Sequence, residues 1–381
     1  MEIDTEMSKQ SKESNIICIN NEELQYSSMI DCTIDNTTGN IEVHIHKTYS
    51  NMQDDSSDFE SIIICIWSID QKRIVTLKFD SYHGKYDKNE ENRGKEWIDL
   101  KQPCYINKKG YKCAEPARLH HMRFLYRVMK FRERYQGKGF ILHDDNIAEV
   151  NRFEKLYRDA LRDGRLCLTE PTKEGNLKGY DKDKGIIKDE VEIEENHLEK
   201  WFVLQSRKNN LPKQIVKVFG NNTLYDQLPC SIFIGEKSKA TRIFNDGAFD
   251  LWGINEKKEL CVFELKKAGN ERLGIISELF FYSMLMKDMK QVANTKYKES
   301  SNTHRGFKEF VNNENGDIIN AYFLVAKLHS FLEKQTIQKA FIDILNEGND
   351  GIRFGLIEFK QNEEIVKDKH SFYKTLVECA K

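Results

Sequence analysis

No apolar run in this sequence approaches the roughly 18 residues that a membrane-spanning helix needs. The first six residues, Met1 to Glu6, are acidic and have neither the basic nor the apolar part of a signal peptide. The nine cysteines are an odd number and form no CxxC pair, so we expect reduced thiols. These absences predict a cytoplasmic protein with no membrane partner.

The sequence also has no excess of positive charge and no familiar nucleotide or protease motif. Its net charge is −2, with 39% hydrophobic and 31% charged residues, which indicates a globular chain. Any contact with nucleic acid must therefore use local basic patches. A glycine-rich phosphate loop, GxSxG and HExxH are all missing, so NTPase, serine hydrolase and metalloprotease functions have no support.

The length of 381 residues allows two or three domains. Residues 1–14 are predicted to be a disordered tail. Residues 172–189 are rich in glycine, lysine and aspartate, and we place a linker there with its boundary near Lys182. The prediction is an N-terminal recognition or regulatory domain over 15–181 and a second domain over 182–381.

The N-terminal part is predicted to be β-rich, with helices after Pro116. Five strand-like segments precede that proline: NIICI, IEVHIHKTY, SIIICIWSI, RIVTLKFDS and KEWIDL. Alternation over residues 41–46 fits half-buried antiparallel strands, and places His44 and His46 together on a polar face. Helical spacing predicts helices over 117–136 and 146–162.

The C-terminal part alternates helices and strands. We predict a helix over 192–208, strands over 230–235, 247–254 and 260–267, and then a helix over 271–287. A strand over 321–327, a helix over 336–346 and a strand over 352–360 complete the order. This order predicts an α/β domain with a mixed sheet.

Charged residues occur where two of these apolar strands end. Residues two apart in a strand share a face, so Glu264 and Lys266 project together. A hairpin through the turn NEKKE brings Asp250 to the same face. Asp246 is an alternative, but we prefer Asp250 because its neighbours are apolar.

Two converging carboxylates form a hard-oxygen site that suits Mg²⁺ or Mn²⁺, completed by waters and phosphate oxygens. Such a metal ion lowers the pKa of a bound water and neutralises charge on phosphate. A lysine two residues from the second carboxylate can hold the attacking water or stabilise negative charge. The pattern therefore predicts metal-dependent phosphodiester hydrolysis.

The spacing of Asp250, thirteen intervening residues and then Glu264-Leu265-Lys266 resembles the signature of the PD-(D/E)XK nuclease superfamily. The resemblance covers about 192–360, where the element order resembles that family's αβββαβ core, a restriction-endonuclease-like fold. It implies that Asp250 and Glu264 bind the metal ion together with the backbone carbonyl of Leu265. It also implies that Lys266 acts at the water.

Two other family features have counterparts, and the second of them departs from the family pattern. The first helix of the family often supplies a glutamate, and here Glu195 and Glu199 are both candidates, with a solvated helix face as the alternative for each. The later helix carries Glu278 where a glutamine is usual, which leaves its role open. Phe249 stands where the family name has proline.

The domain order further resembles the Shedu group of antiviral defence nucleases. This resemblance implies an endonuclease that cuts phage or other foreign DNA. Cutting both strands with one site per subunit implies a homo-oligomer, a dimer or a tetramer. The alternative is a catalytically silent nuclease fold retained for nucleic-acid binding or assembly.

The helix predicted over 117–136 is strongly basic, and its cations could follow DNA phosphates. The alternative is that it pairs with the acidic loop around 54–60. The candidate phosphate-binding residues are Arg118, Arg123, Arg127, Lys130 and Arg134.

Overall fold

The computed structural model describes residues 14–46, 58–80, 104–106, 112–114, 116–187, 192–244 and 247–380. The predicted tail before Ser14, the predicted strand KEWIDL and the alternative ligand Asp246 lie outside these residues. Within them the chain mixes α-helices with several β-sheets, which confirms the mixed fold class. No helix in the described ranges is long and apolar enough to cross a membrane.

The N-terminal part begins with strands and continues with two long helices. The predicted helices over 117–136 and 146–162 are confirmed to within two residues. The elements are β1 (Ser14–Ile19), β2 (Glu22–Ser27), β3 (Ile30–Ile34), β4 (Ile41–Ile45), α1 (Phe59–Ile69), β5 (Val75–Phe79), β6 (Cys104–Ile106), β7 (Lys112–Ala114), α2 (Pro116–Tyr135), β8 (Phe140–Leu142), α3 (Asp144–Arg162), β9 (Leu166–Leu168), β10 (Tyr180–Asp181) and β11 (Ile186–Ile187).

The segment SIIICIWSI is helical in α1, so the strand predicted there is wrong. All residues of α1 from Phe59 to Ser68 are buried. A helix that is buried on every side has a continuous apolar run and no helical periodicity, which makes its sequence resemble a buried strand.

The polar and apolar alternation of β4 does mark a half-buried strand, but its sheet is mixed. The strand order is β3-β4-β5-β8, with β3 and β4 antiparallel and the other neighbours parallel. The predicted antiparallel pairing therefore holds for β4 with β3 but is wrong for β4 with β5. Helix α1 connects β4 to β5, and α2 lies in the connection from β5 to β8. Both strand pairs are parallel, and parallel strands need a long crossover connection that is usually helical.

The described part of the predicted linker, residues 172–187, consists mainly of turns and irregular backbone, with the short hairpin of β10 and β11 inside it. One hydrophobic core contains residues from both sides of it, such as Phe131 and Phe280. The division of the chain near Lys182 stays a prediction.

The C-terminal part follows the predicted alternation and adds elements that were not predicted, namely α5, β12, α7, α8 and α10. Its elements are α4 (Glu195–Arg207), α5 (Lys213–Phe219), β12 (Leu224–Pro229), β13 (Ile232–Ile234), β14 (Ala248–Ile254), β15 (Leu260–Lys266), α6 (Ile275–Lys296), α7 (Phe307–Asn312), β16 (Ile319–Val325), α8 (Ser330–Glu333), α9 (Gln335–Leu345), β17 (Ile352–Glu358) and α10 (Lys369–Ala380).

A five-stranded mixed sheet organises this part, in the order β12-β14-β15-β16-β17. Strands β12, β14 and β15 are antiparallel neighbours, whereas β15, β16 and β17 are parallel. The strand predicted over 230–235 is β13, which pairs with β9 outside this sheet. The first strand of the sheet is instead β12, whose alternating buried and half-buried residues were missed.

Every residue of β15 is buried, including Glu264 and Lys266. Leu260 and Val262 belong to the core that contains α6, whereas Phe263 belongs to the core that contains α4. Helices therefore cover both faces of the strand, and its charged end lies inside the protein.

Candidate active site

Strands β14 and β15 separate at the charged end of the hairpin. Their last ladder pair is Leu251 with Phe263. One residue further, Oδ2 of Asp250 accepts a hydrogen bond from the backbone N–H of Leu265 at 2.9 Å. The carboxylate thus replaces a backbone acceptor at the point where the two strands part, which confirms that Asp250 converges with the end of β15.

The backbone of Leu265 faces this same edge. The carbonyl of Lys266 accepts a hydrogen bond from the N–H of Ala326, on the β16 side. Neighbouring residues of a strand direct their backbone groups to opposite sides, and the N–H and C=O of one residue point to the same side. The Leu265 carbonyl is therefore directed towards β14 and Asp250.

Lys266 lies at the centre of a group of carboxylates. Its Nζ is 2.7 Å from Oε1 of Glu264, 3.0 Å from Oε2 of Glu278 and 3.8 Å from Oε2 of Glu195. The side chains of Glu264 and Lys266 are 4% and 10% exposed, whereas that of Glu278 is 44% exposed. The ammonium group thus links the buried end of β15 to two carboxylates that solvent can reach.

Both candidate glutamates of α4 lie near this group, in different surroundings. Glu195, in the first turn, also accepts a hydrogen bond from Nδ2 of Asn270 at 2.6 Å. Glu199 is buried and accepts from Nε2 of Gln227 at 3.0 Å. Burial raises the pKa of Glu199 well above its usual range, and the charge of Asp250 raises it further. The structure therefore does not reduce the pair to one candidate.

Gln227 is a contributor that the sequence did not reveal. It lies between two residues of β12 that pair with Leu251 and Phe249 of β14, yet it forms no ladder pair itself. Its φ of 52° is in the left-handed region, which is uncommon for a residue other than glycine. Such backbone conformations concentrate at functional sites, and here the deviation lies opposite Asp250.

The carboxylates around Lys266 outnumber the cations. Burial and this excess of negative charge shift the pKa values of the carboxyl groups. Burial raises the pKa of Asp250 to about 6, against the opposing effects of Lys266 and the Leu265 N–H. Burial and the charge of Asp250 raise the pKa of Glu264 well above its usual range. Burial acts against ionisation of Glu278 as well, but the charge of Lys266 outweighs it, and the pKa of Glu278 is lowered.

This electrostatic arrangement fits a bound cation. Oε2 of Glu264 is buried and has no hydrogen-bond partner among the described residues, which is unusual for a buried carboxylate oxygen. Together with the carboxylate of Asp250 and the Leu265 carbonyl, it offers the oxygen ligands that Mg²⁺ and Mn²⁺ prefer, with waters completing the coordination. A divalent cation would offset both effects that raise these pKa values, first the burial and then the repulsion between carboxylates.

The basic residues of α2 have partners within the chain. Arg127 forms a buried ion pair with Glu60, Lys130 with Asp288 at 3.0 Å, and Arg134 with Asp350. The guanidinium group of Arg123 lies 4.0 Å from the ring centre of Phe281, and Arg118 is buried with Nη2 3.5 Å from the carbonyl of Ala240. The pairing of Arg127 matches the alternative in which this helix neutralises acidic groups. Because these five basic side chains contact other residues of the chain, their positions lend no support to the prediction that they bind DNA phosphates.

Helix α1 and the residue before it contact the N-terminus of α6, close to the candidate site. The hydroxyl groups of Ser61 and Ser277 are 2.8 Å apart. Burial raises the pKa of Asp58 to about 7, with Arg127 lowering it and Glu278 raising it. Asp58 therefore contributes to the electrostatic environment of Glu278.

Searches with this chain found no matching protein-family model, curated protein or solved structure.

Proposed function

We propose that this protein is a Mg²⁺- or Mn²⁺-dependent endonuclease that hydrolyses DNA phosphodiester bonds at the end of β15. The observation that carries the proposal is the convergence of Asp250, Glu264 and Lys266 where β14 and β15 separate. The Asp250–Leu265 hydrogen bond of 2.9 Å and the Lys266–Glu264 contact of 2.7 Å define this convergence. The mixed sheet, with α4 and α6 near its two faces, supports a nuclease-like core.

In this proposal Asp250, Glu264 and the Leu265 carbonyl hold the metal ion. When bound, the ion supplies a water of lowered pKa and neutralises charge on the scissile phosphate. Asp250 stays oriented because its other interaction is with a backbone N–H of the rigid strand β15. Its ionised form and that of Glu264 are the forms that bind a cation.

Lys266 is the residue that acts on the reacting groups. Its Nζ lies among Glu264, Glu278 and Glu195, and these carboxylates together raise its pKa against the effect of burial. The amine therefore stays protonated. It can orient the attacking water by hydrogen bonding and stabilise charge that develops on the phosphate. The partly exposed Glu278 and Glu195 lie where water and substrate reach the site.

A defence role against phage or other foreign DNA, and assembly into a dimer or tetramer, are part of the same proposal. They rest on the resemblance to Shedu nucleases and on the need for two active sites to cut two strands. Size-exclusion chromatography with light scattering tests the assembly, and plating of phage on expressing cells tests the role.

The direct test is a cleavage screen on supercoiled, linear and single-stranded DNA and on RNA, with Mg²⁺ or Mn²⁺. We expect nicking or cutting of DNA that EDTA abolishes. Calorimetry with Mn²⁺ on the wild type and Asp250→Asn separates this proposal from a silent nuclease fold. Metal binding that Asp250→Asn removes, without cleavage of any substrate, would favour the silent module.

A further inference from the structure

A second group of metal-ligand side chains lies on the polar face of the β3-β4-β5-β8 sheet. His44 and His46 are two residues apart at the end of β4, and Asp80 directly follows the neighbouring strand β5. One nitrogen or oxygen from each of these three residues lies within 4.8 Å of those from the other two. Asp31, opposite His44 on β3, belongs to the same face.

We propose that His44, His46 and Asp80 form a zinc site, separate from the proposed catalytic metal site. Nε2 of His44 is 2.9 Å from Oδ1 of Asp80, and Nδ1 of His46 is 3.7 Å from Oδ2 of Asp80. Ligand atoms about 2.0–2.1 Å from a tetrahedral zinc ion lie roughly 3.3 Å apart. The observed distances lie on either side of this value, so small side-chain rotations suffice to bind the ion.

The second nitrogen of His46 has a partner that orients the ring. Its Nε2 is 2.8 Å from Oδ2 of Asp31. A histidine that donates one ring N–H to a carboxylate presents its other nitrogen as a ligand, and metal-binding histidines are commonly held in this way. Asp31 thereby leaves Nδ1 of His46 directed towards Asp80 and the proposed ion.

Charge and accessibility also fit a divalent cation. The two carboxylates supply negative charge beside two imidazole rings, whose centres are 4.1 Å apart. Lys78 is the neighbouring cation, and it lies opposite His44 in the ladder between β4 and β5. Its Nζ is 3.8 Å from the carboxylate of Asp145, which balances its charge. The side chains of His44, His46 and Asp80 are 23%, 37% and 44% exposed, so an ion can enter.

The backbone holds the ligands in place. The N–H of Asp80 donates to the carbonyl of Ile45 at 3.2 Å, and this bond fixes Asp80 beside the two histidines. Imidazole ligands favour zinc and related transition metals over Mg²⁺. Three protein ligands leave a fourth position for water, and the ion would join β4 to β5.

The test is a calorimetric titration of the EDTA-treated, dialysed full-length protein with Zn²⁺. We expect one tight site in the wild type, with affinity at least 100-fold lower in His44→Ala and His46→Ala. Asp31→Asn is expected to weaken binding by about 10–100-fold, because it loosens the ring of His46. Co²⁺ is the spectroscopic probe, and we expect tetrahedral absorption bands that disappear in His46→Ala.

Two controls separate this site from other metal binding. His304→Ala removes another histidine that pairs with a carboxylate, Glu174 at 3.1 Å, and should leave zinc affinity unchanged. Asp250→Asn should leave it unchanged as well, so failure of the proposed nuclease does not affect the result. Wild-type protein that binds no zinc, or unchanged affinity in His46→Ala, overturns the proposal. If a histidine variant does not fold, Asp80→Asn provides the same test.

Discussion

Lys266 donates a hydrogen bond from Nζ to Oε1 of Glu264, 2.7 Å away, and both side chains project from the same face of a strand that is buried along its whole length. Burying two charges is unfavourable unless they are paired and have further partners. Here Glu278 and Glu195 lie close to the lysine, while one oxygen of Glu264 has no hydrogen-bond partner in the part of the chain that the structure describes. The pair is therefore arranged for an additional ligand more than for stability alone.

Asp250→Asn should stabilise the metal-free protein at pH 7 by about 1–3 kcal/mol. The pKa of Asp250 is raised from 3.8 to about 6, so the folded state binds a proton that the unfolded state has released between these values. Stability is consequently lost as pH rises through this window, and the asparagine variant avoids that loss. Urea denaturation in EDTA at pH 7 and pH 4 measures the effect, which should nearly vanish at pH 4. Lower stability of the variant at pH 7 would contradict this account.

Divalent cation binding at the candidate active site should strengthen as pH rises through about 6 and above. The carboxyl groups of Asp250 and Glu264 have raised pKa values and must lose their protons before they can ligate an ion. Calorimetry with Mn²⁺ between pH 5 and pH 8 is the measurement. The same pH dependence should appear in the rate of cleavage. An affinity that is constant across this range would show that other groups bind the ion.

Arg127→Met should destabilise the protein by about 3–5 kcal/mol, because it leaves the buried Glu60 without its cationic partner. Glu60 is fully buried, and Arg127 is nearly so. The double variant Glu60→Gln with Arg127→Met should recover part of the loss. Arg132→Ala is the control, since its pair with Glu154 is partly exposed, and should cost about 1 kcal/mol or less. Equal effects of the two arginines would contradict the structural role of Arg127.

Lys290→Met should also destabilise the protein, by about 2–4 kcal/mol. Nζ of Lys290 donates to the carbonyls of Phe310 at 2.7 Å and Val311 at 2.8 Å, and the residue is buried. Without the lysine, carbonyls near the C-terminus of α7 lose their donor. Thermal denaturation measures the change, with the exposed Lys339→Met as the matched control.

The sequence was most informative where one physical pattern dominated. The helical period of α2 and α3 predicted both helices, and residue alternation correctly put Glu264 and Lys266 on one face of β15. The buried helix α1 was misread because an apolar run without periodicity is compatible with a strand. Strand β12 was missed because its short alternating stretch includes Asp226 and Gln227.

The candidate site was predictable only in part for a similar reason. Spacing along the chain identified Asp250, Glu264 and Lys266. Contacts between distant elements are not encoded in local patterns, so the position of Gln227 opposite Asp250 appeared only in three dimensions. The same holds for the partners of the basic helix, since Arg134 and Asp350 are far apart in the sequence.

The most direct test of the central claim is the rate at which purified protein nicks supercoiled plasmid in Mg²⁺ or Mn²⁺, compared between Lys266→Ala and Lys267→Ala. Lys267 is the adjacent lysine, and its Nζ bonds to Glu192 at 2.9 Å and to the carbonyl of Ile193. Circular dichroism establishes that both variants are folded. The account predicts a loss of at least about 100-fold for Lys266→Ala and nearly wild-type cleavage for Lys267→Ala. Undiminished cleavage by folded Lys266→Ala would contradict it.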